Sequence, residues 1–118
     1  MLRVQKFLIL GQVLELLQNI FISELLKPSK NPVWLVSPWM SNVAIIDNRS
    51  GCFDVINPDW RGQFVKLEDI ILHMYSVDTE LNIVTNRDDH NNYFLTNLKR
   101  RLSDFDNKNN ILIKQRER

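Results

Sequence analysis

Val33-Trp34-Leu35-Val36 is fenced by Pro32 and Pro38. Each proline lacks an amide donor and pushes the residue before it away from helix, so these four apolar residues have room for a strand and none for a helix. A continuous apolar run is the pattern of a strand covered on both faces, which predicts a central strand with Trp34 in the core. Leu81-Asn82-Ile83-Val84-Thr85 reads as a second strand, and Ile111-Leu112-Ile113 as a third after the polar turn Asn107 to Asn110.

Helical stripes lie between and before these strands. Phe7, Leu10, Val13, Leu14, Leu17, Ile20, Phe21 and Leu25 keep helical spacing and predict a long first helix, stopped by the turn between Pro28 and Pro32. Leu67, Ile70, Ile71, Met74 and Tyr75 predict a second helix, ending near Asp78. Asp88 or Asp89 is a cap for a third, with the stripe Tyr93, Phe94, Leu98, Leu102 and Phe105. Val43 to Ile46 and Phe53 to Ile56 flank the turn-rich Asp47-Asn48-Arg49-Ser50-Gly51 and leave two readings open, a hairpin or an ordered loop.

Strands alternating with helices predict the α/β class: a three-layer helix/sheet/helix arrangement in one domain spanning residues 1–118. The third strand runs directly into Lys114-Gln115-Arg116-Glu117-Arg118, which leaves its outer edge uncovered and the domain incomplete.

Composition narrows the function classes. With 44% hydrophobic residues the chain can bury a core, and its net charge of +1 gives no global attraction to nucleic acid or an anionic membrane, so any such affinity needs a local patch. Gln12, Glu15 and Gln18 interrupt the first apolar stretch before it reaches the ~20 residues of a membrane span, and no small-residue cleavage site follows. A cytoplasmic protein is expected. The single cysteine, Cys52, excludes an internal disulfide and suits a reducing compartment; it reads more readily as a small apolar residue than as an activated thiol.

Ligands of parallel sheets collect beyond the carboxyl ends of the strands. Ser37-Pro38-Trp39 follows the first strand, and Thr85-Asn86-Arg87-Asp88-Asp89-His90-Asn91 the second, so Ser37, Trp39, Thr85, Arg87 and His90 are the candidate binding residues around one cleft. The competing reading of Trp39, a proline turn whose indole packs on a helix, is the commoner one. His90 beside two aspartates has the chemistry of a general base or metal ligand, but its spacing matches no metal motif, and the first turn of a capped helix is the commoner place for it. His73, within an apolar stripe, reads as a packed helical residue. Lys99-Arg100-Arg101 and Lys108 suit phosphate contact, or more commonly a solvated helix face. With only three glycines there is no phosphate loop, and no nucleophilic triad, metal site or cofactor motif is present.

The stretches Ser23 to Ser29, Val33 to Trp39, Asp47 to Gly51, Pro58 to Trp60 and Val84 to Asn91 resemble the amino-terminal half of phospholipase D-like proteins. The nearest likeness is to the bacterial group that accompanies deazaguanine DNA-modification gene clusters, with Asn86 inserted before Arg87. The resemblance implies a metal-independent phosphodiesterase or nuclease of a DNA-modification or phage-defence system. Two H-x-K-x4-D motifs in such a site supply a nucleophilic histidine, an acid/base histidine and lysines that hold the phosphate. No H-x-K occurs here: His73 is followed by Met74 and Tyr75, and His90 by Asn91 and Asn92. The family's first motif belongs just after the strand matching Ile111 to Ile113. The expectation is a scaffold half without catalytic residues, inactive alone. Its partner would be a carboxyl-terminal half carrying the motif or a second copy, with nucleic acid as a further candidate and no membrane. The alternative is a non-catalytic interaction module of the same system, and a third reading, a stand-alone enzyme using His90, has least in the sequence behind it.

Overall fold

A computed structural model describes residues 14–27, 30–105 and 108–117. The described residues are mixed α/β, with three α-helices and a mostly parallel set of strands. Helix α1 (Leu14–Leu26) turns Leu17 and Phe21 inward and lies against β2 (Ala44–Asp47), where the Gln18 side chain accepts a hydrogen bond from the Asp47 amide at 3.1 Å. The expected start of this helix, Phe7 to Val13, and Pro28 lie outside the described residues.

The main sheet holds β1 (Val33–Val36), β4 (Leu81–Asn86) and β5 (Ile111–Arg116), all parallel, in the order β1-β4-β5. The three expected strands are therefore neighbours in one sheet. The central one is β4, and β1 lies at an edge. Both crossovers step in the same direction across the sheet, and right-handed connections of that kind put their helices on one face. In agreement, α2 (Leu67–Ser76) and α3 (Asp89–Leu102) touch, and Arg101 of α3 donates to Glu68 Oε1 at 2.7 Å and Asp69 Oδ1 at 3.0 Å of α2.

Leu35, Leu81, Ile83 and Thr85 point toward these helices and are buried with Ile70, Ile71, Met74, Phe94, Leu95 and Leu98. The alternate residues occupy the other face, which stands open at Trp34, 37% exposed, and Leu112, 61% exposed. This corrects two expectations: the sheet is not covered on both faces among the described residues, and Trp34 is not a core residue. The four-residue apolar run of β1 hid the alternation that Asn82, Lys114 and Arg116 display on the neighbouring strands.

A second, two-stranded antiparallel sheet pairs β2 with β3 (Phe64–Lys66). The ordered-loop reading of Phe53 to Ile56 is the one found: that segment is a series of turns, and the partner of β2 comes later in the chain. Asn48, fully buried, fastens the loop. Its Oδ1 accepts from the Phe53 amide at 2.7 Å, and its Nδ2 donates to Asp54 Oδ1 at 2.8 Å and the Trp60 carbonyl at 2.9 Å. Gly51 sits within the loop at φ +81°, a left-handed conformation that a side chain would strain. A 3-10 turn, Pro58–Trp60, follows and buries Trp60.

Asp88 is the cap of α3, its carboxylate accepting from the Asn91 amide at 2.9 Å. The inward stripe of α3 is Phe94, Leu95 and Leu98, while Tyr93 faces solvent at 75% exposure because it falls a quarter-turn off that stripe. No helix among the described residues is long and apolar enough to cross a membrane.

Candidate functional site

The carboxyl ends of β1 and β4 meet where α3 begins. After Val36 the chain turns at Ser37, whose hydroxyl donates to the Trp39 carbonyl at 2.6 Å and accepts from the Trp39 amide at 3.2 Å. This turn, with Pro38 inside it, ends the strand and throws the indole outward. From the other side, Asp88 starts α3 and places His90 in its first turn. The two rings stack, with centroids 3.9 Å apart and planes inclined by 10°. The site reading and the packing reading of Trp39 thus meet in one geometry: the indole lies on a helix residue and is still 51% exposed.

Asn91 clasps the two segments. Its Oδ1 accepts from the Met40 amide at 2.7 Å, while its Nδ2 donates to the Pro38 carbonyl at 2.9 Å and the Asn86 carbonyl at 2.8 Å. A single carboxamide therefore satisfies backbone groups from the loop after β1 and from the end of β4, groups that would otherwise be stranded.

The five sequence-derived candidates divide. Trp39 and His90 touch, and Ser37 is beside them, though its hydroxyl is engaged within its own turn. Arg87 is exposed and pairs with Glu117 at 3.2 Å, and its amide donates to the Arg116 carbonyl. Thr85 is buried beneath the rim, and its hydroxyl has no hydrogen-bond partner among the described residues. It supports the site from below and does not line it.

Sequence reasoning passed over Ser41 and Asn91. Ser41 Oγ lies 2.7 Å from His90 Nε2, the contact of a hydroxyl with an imidazole that either donates or accepts according to its tautomer. No local pattern announces this pairing across 49 positions. Asn91 carried a signal: it stands three residues after a helix cap, where a short amide can turn back toward the loops.

At the rim His90 has an accepting or donating hydroxyl and an aromatic platform but no carboxylate ion pair among the described residues. Among those residues, no group of three or more His, Cys, Asp or Glu is placed to hold a metal ion. Stacking and hydrogen bonding are what this arrangement offers a ligand.

A separate cleft of about 490 Å3 lies between α2, α3 and the 3-10 turn, with Asn57, Trp60, His73 and Arg101 on its walls. Its cation is spent on Glu68 and Asp69. His73 is half-buried, tilted on Trp60 at 5.1 Å, with Nδ1 3.2 Å from Asn57 Nδ2, and burial pushes its pKa below the ordinary value. The packed-helix reading of His73 describes it well. A histidine with a depressed folded-state pKa binds fewer protons folded than unfolded, so its contribution is complete above its unfolded pKa of about 6.5 and lost as pH falls through the folded value. Denaturation midpoints should therefore drop on acidification below about pH 6.5, by less in His73→Phe than in the parent chain. Equal pH slopes for the two proteins would refute this.

Of the basic cluster, Lys99 and Arg100 are exposed and Arg101 is ion-paired. Lys108 donates to the Ser76 carbonyl at 3.0 Å and to Asp78 at 2.7 Å. Cys52 sits exposed in the loop, accepting from Ser50 Oγ at 3.0 Å.

No family model, no curated protein and no solved structure matches this chain.

Proposed function

We propose that this chain is the scaffold part of a phospholipase D-like phosphodiesterase or nuclease of a bacterial DNA-modification or defence system, supplying strands and a rim but not the reacting groups. The observation behind this reading is the bare edge of β5: six residues paired with β4 on one side and, among the described residues, with no strand on the other. Exposed parallel edges invite a further strand. The resemblance of the segments from Ser23 to Asn91 to the amino-terminal half of that family names the kind of chain that would supply it, one bearing H-x-K. The imidazoles at His73 and His90 have no lysine two residues on, so neither can pair attack on phosphorus with stabilisation of the phosphate charge from the same segment.

Alone, the chain is expected to show no turnover of a chromogenic phosphodiester or of single- or double-stranded DNA, with or without divalent metal, and His90→Ala should behave identically. Addition of an H-x-K-bearing carboxyl-terminal segment, as a second chain or fused after Arg118, should give a complex with turnover. Cleavage by the chain alone that disappears in His90→Ala would overturn the reading, as would failure of the two segments to associate.

A further inference from the structure

The open face of the main sheet has a chemistry of its own. Parallel register sets Trp34, Asn82 and Leu112 in one row across it and Asn86 beside Arg116 in another, with Lys114 on the row between. A groove of about 320 Å3 crosses these rows. β1, β4 and β5 place no acidic residue on this face, and neither Lys114 nor Arg116 forms an ion pair among the described residues. The carboxamides of Asn82 and Asn86, on the central strand, have no hydrogen-bond partners there either.

These features discriminate between occupants. An apolar helix laid across the face would bury both carboxamides without partners, and such desolvation works against docking. A second copy would bring the same pair of cations toward this one. A polyanion that carries flat apolar groups and hydrogen-bonding edges meets every feature at once. We propose that this face binds single-stranded nucleic acid: Trp34 stacks on a base, Lys114 and Arg116 neutralise phosphates, and Asn82 and Asn86 offer donor and acceptor to base edges. With a net charge of +1 the attraction is confined to this patch, so binding is weak and strongly salt-dependent. The proposal is independent of the phosphodiesterase reading and of the Trp39/His90 rim.

The test is fluorescence polarisation of a short labelled oligothymidylate with the full chain, titrated at several salt concentrations between about 50 and 200 mM. Expected are saturable binding at the low end, a loss of about 1.4 in the slope of log K against log salt for Lys114→Ala/Arg116→Ala (about 0.7 per phosphate contact), and weakening by at least about fivefold for Trp34→Ala. Lys114→Glu/Arg116→Glu, at exposed positions that leave the core untouched, should bind below detection even if Trp34→Ala folds poorly. The α3 variant Lys99→Ala/Arg100→Ala should bind as the parent does. Absence of binding at about 50 mM salt, binding that survives the charge reversal, or binding that follows Lys99 and Arg100 would each overturn the proposal. So would a dimer in sedimentation that Leu112→Asp dissociates, since the face would then be covered by a second copy.

Discussion

Replacing Asn91 by alanine is expected to destabilise the chain by about 3–5 kcal/mol, a large share of the ~5–15 kcal/mol available to a domain of this size. The side chain is completely buried and closes three hydrogen bonds, from Met40 and to Pro38 and Asn86. Removing it strands one buried donor and two carbonyls, at about 1–3 kcal/mol for each group that water cannot reach. Asn91→Asp sharpens the test. It keeps the acceptor for Met40 but turns a carboxylate toward two carbonyl oxygens, so it should be at least as harmful near neutrality and partly recover at acid pH, where the carboxyl regains a proton to donate. Both variants should also loosen the stack of Trp39 on His90, visible as a change in tryptophan fluorescence before global unfolding. A urea midpoint for Asn91→Ala equal to that of the parent would mean that the loop after β1 is not clasped to α3 in this way.

Trp60→Ala is expected to cost about 3–5 kcal/mol, as removal of a buried aromatic side chain does. Trp60 is 5% exposed, leans on His73, and presents its carbonyl to Asn48, so its loss opens a cavity at the joint between the long loop and α2. Trp34→Ala should cost clearly less, because one side of that indole already faces water, and Trp39→Ala less again. The apolar run of β1 had made Trp34 the expected core tryptophan. Denaturant melts that put Trp34 ahead of Trp60 would restore that expectation and argue against the open sheet face.

Hydrophobic periodicity and turn chemistry are local properties, and what rests on them could be read from the sequence: the strands at Val33, Leu81 and Ile111, the helices at Leu67 and Asp89, and a cap at Asp88 or Asp89, of which the structure uses Asp88. The rule that sites lie beyond the carboxyl ends of parallel strands also brought Trp39 and His90 into one set of candidates. Only tertiary structure decided that β1 is an edge strand and not the centre, because burial on one face is a property of strand order and crossover direction, which no four-residue run encodes. It also decided the partner of β2, found beyond a loop whose closure depends on Asn48, and the roles of the polar residues. Asn91 and Arg101 are ordinary residues in the sequence. One became a clasp between segments and one an ion-paired bridge, because a polar side chain takes its function from partners, and Met40, Pro38 and Glu68 lie tens of residues away in the chain.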